Sequence, residues 1–182
     1  MSDEPRTNPR WPSFFGKAFF GLRDETQFRQ ALGVALSCVY PNWRRGTFTG
    51  DNLITFGKNL SFLTDQRFME AAAKHVKNEV ERSILWRTAV LCWAARNGLR
   101  REGDFMECGC YRGTSARIVA DVLEFGSRDR TFWLYDLFDY PPGSTHTRMP
   151  GMGESLFETA RARFADLANV RVIRGAVPGA LA

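Results

Sequence analysis

The sequence predicts an α/β fold: a parallel sheet with its strands in the order 3-2-1, preceded by an N-terminal helical extension. Three observations predict it. Asp104–Cys108, Thr131–Tyr135 and Val170–Ile173 are short, largely apolar runs of strand type. The intervals between them each carry a helical pattern, over 114–125 and 154–167, and crossovers that contain helices join parallel strands. Right-handed crossovers then give the strand order. Before residue 102 the apolar residues recur with the helical period instead.

Residues 1–12 are polar, with three prolines among them, and read as a loose tail. Phe14 to Leu22 is apolar around Gly16 and Gly21, which suits a short helix or an aromatic-rich loop packed on the body. Asp24 caps a helix running through Cys38, with Phe28, Leu32, Ala35 and Leu36 on one face and Pro41 as its stop. Residues 42–51 read as a loop, and 52–62 are ambiguous around Gly57. Thr64 or Asp65 caps a helix to Lys77, and one long helix covers Val80–Asn97, with Ile84, Leu85, Ala89, Cys92 and Trp93 on the helical period and Gly98 as C-cap. In the sheet region Ile118, Val119, Val122 and Leu123 face inward from one helix, and Leu156, Phe157, Ala160 and Phe164 from the next. The domain reading is a tail over 1–22, a helical cover over 23–101, and a sheet domain over 102–182.

The chain of 182 residues is long enough to bury a core, and its 44% hydrophobic and 25% charged composition is that of a globular protein. The formal net charge of +5 comes from scattered arginines, so no stripe for nucleic acid is expected. The four cysteines lack CxxC spacing and only two histidines are present, so no metal site is expected. Cys38 and Cys92 lie in apolar runs and read as core residues. No apolar leader or membrane-length run is visible, and the expected location is cytoplasmic.

Chemistry concentrates after the first sheet strand. Gly109-x-x-x-Gly113 forms a glycine turn, with Glu107 before it and Thr114 and Ser115 opening the next helix. Tyr111 occupies the middle-glycine position of the dinucleotide fingerprint, and no Walker lysine follows. Glu107 suits a ligand that carries positive charge. Asp136 ends the second strand, where a carboxylate can accept both hydroxyls of a ribose. The alternatives are a loop cap for Asp136 and a structural carboxylate for Glu107. His75 reads as a surface or packing residue, and His146 as a solvent-exposed loop residue, the alternative being that it overhangs a ligand above the sheet.

The stretch from about Asp104 to Leu181 resembles class I S-adenosylmethionine-dependent methyltransferases, more narrowly the TylF/macrocin O-methyltransferase family. The motifs that carry the likeness are Gly103 to Ser115, Leu134 to Phe138, and Val172 to Pro178, and the helical stretch Asp65 to Arg101 is similar to the family's N-terminal cover. The resemblance implies a partial Rossmann-like methyltransferase sheet. It places Glu107 and Gly109 near the methionine moiety and its amine, Gly113, Thr114 and Ser115 at the helix start bordering the cofactor, and Asp136 on the ribose. Tyr111 and Arg112 would touch the methionine carboxylate or order the turn, and Tyr140, Pro141 and Pro142 would shape a loop over the adenosine.

The implied cofactor is S-adenosyl-L-methionine. The implied activity is O-methylation of a sugar-containing or other small metabolite, with Mg2+ helping to acidify the acceptor. The family's later strands would carry the metal ligands and the base. The sequence ends at Ala182, so no catalytic residue or metal ligand is assigned, and the chain is expected to be a truncated form with weak cofactor binding and no turnover by itself. The expected partners are a small-molecule substrate and a homo-oligomeric copy or completing chain. The alternative is a non-catalytic structural or partner-binding protein.

Overall fold

The computed structural model describes residues 12–41, 43–140 and 151–181. The fold is mixed α/β and divides into two compact units, Met1–Arg87 and Thr88–Ala182. The division falls inside a helix that the sequence assigns to the N-terminal cover.

The first unit holds β1 (Phe14–Phe15), α1 (Glu25–Ser37), β2 (Phe48–Gly50), β3 (Leu53–Thr55), α2 (Gln66–His75) and α3 (Glu79–Ser83). Its small sheet has the order β1-β2-β3, with β1 parallel to β2 and β3 antiparallel to it. The sequence reading missed this sheet, taking 42–51 as a loop and 14–22 as a helix or loop. The hairpin is closed by Asp51 and Asn52 with φ of 53° and 57°, the pair of left-handed residues that a type I′ turn requires. Phe48 is fully buried at its centre, stacked on Phe14 at 5.1 Å and edge-on to Trp86 at 5.3 Å.

The expected caps are present. Asp24 accepts from the Gln27 N–H at 2.9 Å, and Asp65, rather than Thr64, accepts from the Phe68 N–H at 3.0 Å. Helix α1, however, buries none of its residues, and Cys38 at its end is exposed. Its expected inward stripe finds little beyond the contact of Phe28 with Phe19, at 4.8 Å between ring centroids. His75 is buried on α2 as a packing residue.

The long helix expected over 80–97 is broken. Helix α3 stops at Ser83, Ile84 takes φ −92° and ψ 12°, and α4 (Leu85–Gly98) begins. A tertiary contact accompanies the break: the buried Ser83 hydroxyl accepts from the Ala18 N–H at 3.0 Å and donates to Glu79 at 3.2 Å. Trp93, expected on the inner face of this helix, is exposed, whereas Cys92 is buried.

The second unit continues from Thr88 through α4 and holds β4 (Phe105–Cys108), α5 (Thr114–Val122), β5 (Phe132–Asp136), α6 (Glu154–Arg163) and β6 (Val170–Arg174). The sheet order is β4-β5-β6 and both pairings are parallel, with Phe105 opposite Phe132 and Phe132 opposite Val170. This is the strand order that the crossovers predicted. Phe105, Phe125 and Phe132 form an aromatic cluster with centroids between 5.4 and 6.0 Å apart, beside a fully buried Leu134. Asp104 ties β4 to β5 by accepting from the Thr131 N–H and the Trp133 indole N–H, both at 2.9 Å, and these bonds hold its carboxyl below the ordinary range. No helix among the described residues is long and apolar enough to cross a membrane.

Arg117 links the two sheet-covering helices. It is 4% exposed, pairs with Asp121 at 2.9 Å and with Asp166, and donates to the Arg163 carbonyl at 2.6 Å. Replacing one member of such a cluster leaves its partners unpaired. Arg117→Met is expected to lower stability by about 2 kcal/mol, read as a lower urea midpoint at unchanged slope.

Candidate functional site

Parallel pairing sets the carboxyl ends of β4 and β5 side by side, and in open α/β sheets that end is where ligand crevices form. The Gly109 N–H donates to the Tyr135 carbonyl at 2.7 Å, the last rung before the turn. Gly109 has φ +85°, and a Cβ added there would meet nothing within 4 Å. The residue therefore needs glycine's conformational freedom and borders open space.

Tyr111 is left-handed at φ 49°, and its N–H donates to Asp136 Oδ2 at 2.7 Å. The other oxygen of Asp136 accepts from the Phe138 N–H at 2.8 Å. Phe138 is also left-handed, at φ 56°, with its ring buried against Phe157 at 5.1 Å. Both carboxylate oxygens thus hold backbone amides, which is the loop-cap alternative raised for Asp136. Each oxygen keeps a second lone pair, so the residue can still accept from a ligand.

Gly113 has a different reason from the one expected. It is the left-handed N-cap of α5, at φ +68°, and an added Cβ would lie 2.6 Å from the Phe164 ring. Packing of α6's end against the turn demands glycine here. Thr114 is buried, and the Ser115 hydroxyl shares a 3.0 Å hydrogen bond with Thr88 Oγ1, which joins α5 to α4. The Arg112 guanidinium lies 5.4 Å from the Tyr111 ring centroid.

Glu107 stands apart from these satisfied groups. It is half-buried, and among the described residues it has no hydrogen-bond or ion-pair partner. Burial, and then the charge of Asp136, push its carboxyl up to about 6. It lines a groove of about 320 Å³ whose other walls are apolar, among them Leu91, Ala94, Phe105, Met106 and Phe132. Burial, with Asp136 and Glu107 adding to it, raises the neighbouring Cys110 thiol well above its usual range, so that cysteine is no nucleophile.

The structure therefore brings Glu107, Gly109, Tyr111 and Asp136 to one sheet end, while Gly113, Thr114 and Ser115 serve the seating of α5. Tyr140 is half-buried, whereas His146, Pro141 and Pro142 lie outside the described residues. Sequence reasoning missed Thr88, Phe138 and Phe164. The first and last look like ordinary positions of a helical pattern, and nothing in the sequence marks Phe138 as left-handed. Among the described residues no group of three or more His, Cys, Asp or Glu could hold a metal ion. Lacking such a group, the described site does not fit Mg2+, and no step is derived through that ion. No protein-family model matches the chain, and no curated protein matches it.

The raised Glu107 carboxyl has a pH consequence. Its proton is held more tightly in the fold than at the ordinary value of 4.5, so its contribution to stability is complete below pH 4.5 and is lost as pH rises through about 6. Glu107→Gln is expected to stabilise the protein by about 1 kcal/mol at neutral pH and not in acid, measured by urea unfolding at both. Asp136→Asn removes a charge beside Glu107 and sets a side-chain N–H against a backbone N–H. It is expected to move the Glu107 titration below about 6 in a carboxyl NMR experiment and to lower stability by about 1–3 kcal/mol.

Proposed function

We propose that the Thr88–Ala182 unit binds S-adenosyl-L-methionine and serves the O-methylation of a hydroxyl on a sugar-containing or other small metabolite. One observation carries the reading. Glu107, an acid with no cationic partner among the described residues, and Gly109, a glycine facing open space, share the end of β4 beside Asp136. The all-parallel order β4-β5-β6 supports the finer description of the sheet as a partial Rossmann-like methyltransferase sheet.

The donor set fits the cofactor's charges. Glu107 and Asp136 together present negative charge to an ammonium or sulfonium, and a bound cation brings the Glu107 carboxyl back down. The free lone pairs of Asp136 can accept from ribose hydroxyls. Arg112 is placed within the turn to meet the amino-acid carboxylate. When bound, the sulfonium supplies an electrophilic methyl group. This chain's residues hold and orient the donor, which counts because transfer needs an aligned oxygen nucleophile.

A second reading, a non-catalytic partner-binding protein, is favoured by the engagement of both Asp136 oxygens with backbone amides. Calorimetric titration separates the two. Saturable binding of S-adenosylhomocysteine is the expected outcome, weakened about tenfold by Glu107→Gln and abolished by Gly109→Val, whose side chain enters the open space and whose backbone resists φ +85°. Absence of binding of both S-adenosylhomocysteine and S-adenosyl-L-methionine supports the partner-binding reading, and binding of NADH in their place assigns a different nucleotide.

A further inference from the structure

The Met1–Arg87 unit contains a second cavity, of about 410 Å³, within the usual range of small-molecule sites. Its walls are mainly apolar, with Phe14, Leu63, Met69, Ala72, Val76 and Leu85 among them. Arg82 is the one charged group among the described residues that line it.

Arg82 is held from one side only. Its guanidinium carbon lies 4.3 Å from the Phe14 ring centroid, and its Nη1 donates to the Phe15 carbonyl at 3.1 Å and to Glu79 at 3.4 Å. Among the described residues, all its hydrogen bonds leave from Nη1 and the Nε–Nη2 edge carries none. That edge is the fork that matches a carboxylate with two parallel hydrogen bonds. Glu79 meets Arg82 through Nη1 alone, and the same Oε1 also accepts from the Lys17 N–H at 2.7 Å and the Ser83 hydroxyl at 3.2 Å. Stacking on Phe14 already restrains the guanidinium, so less side-chain freedom is lost when an anion binds.

We propose that this cavity binds a monocarboxylate with an apolar tail, the tail among Phe14, Leu63, Ala72 and Val76 and the carboxylate on the Nε–Nη2 edge of Arg82. Arg82 already meets Glu79 through Nη1, so its other edge has room for one carboxylate and suits a monoanion. A dianion such as a phosphate ester would leave charge unpaired and desolvated.

Calorimetry with octanoate and octanol on the whole chain tests the inference. Octanoate is expected to bind saturably and octanol about tenfold more weakly, the difference being one charge-assisted carboxylate contact. Arg82→Met is expected to abolish that preference while circular dichroism shows the fold retained. If losing the Phe14 stack unfolds that variant, Ala73→Leu decides, since Ala73 is an exposed position on α2 that also lines the cavity. Leucine there is expected to block octanoate. Equal binding of octanoate and octanol, no saturable binding, or octanoate binding unchanged by Ala73→Leu overturns the proposal.

Discussion

The carboxylate of Asp136 holds together the two loops at the carboxyl end of the parallel sheet. One oxygen takes the Tyr111 amide from the β4–α5 turn, and the other takes the Phe138 amide from the chain after β5. Both amides belong to left-handed, non-glycine residues, a conformation that costs of order 1 kcal/mol or more at each. Hydrogen bonds to an ionised acceptor are the stronger class and offset that strain. The shape of the turn, the open side of Gly109 and the surroundings of Glu107 all depend on this pin.

Its charge shapes the site's electrostatics as well. Glu107 is buried enough for desolvation to act and close enough to Asp136 for repulsion to add to it. Arg112, the basic residue of the turn, lies against the Tyr111 ring, and no cation pairs with Glu107 among the described residues. Among the described residues the sheet end therefore holds negative charge that no cation pairs with, beside an apolar groove. Such a place favours an organic cation over a pyrophosphate, which would want amides and positive charge.

Cores rich in aromatic rings recur in both units, for different ends. In the first, Phe14, Phe48, Phe62, Phe68 and Trp86 interlock around strands of two and three residues. Sheets that short depend on packing rather than on their ladders. The same packing places Arg82 over Phe14 with one edge of its guanidinium unbonded among the described residues. In the second unit, Phe105, Phe125 and Phe132 cluster at the amino ends of β4 and β5, where Phe105 pairs with Phe132 in the parallel ladder.

What the sequence determined by itself was whatever depends on local pattern. The aspartate caps at Asp24 and Asp65, the helical periods of α5 and α6, and the strand order of the parallel sheet follow from spacing within short windows. The residues of the candidate site were legible too, because a glycine turn between a strand and a helix and an acid at the next strand's end are local signals. Tertiary structure alone decided the rest. Strands of three residues are too short to show a period, so β2 and β3 stayed hidden, and the helix break at Ile84 accompanies a hydrogen bond between Ser83 and the distant Ala18. The role of Gly113 was set by Phe164, and the lack of a partner for Glu107 among the described residues by which side chains failed to reach it. Those outcomes depend on residues far apart in the chain meeting or missing one another, and no window of sequence records that distance.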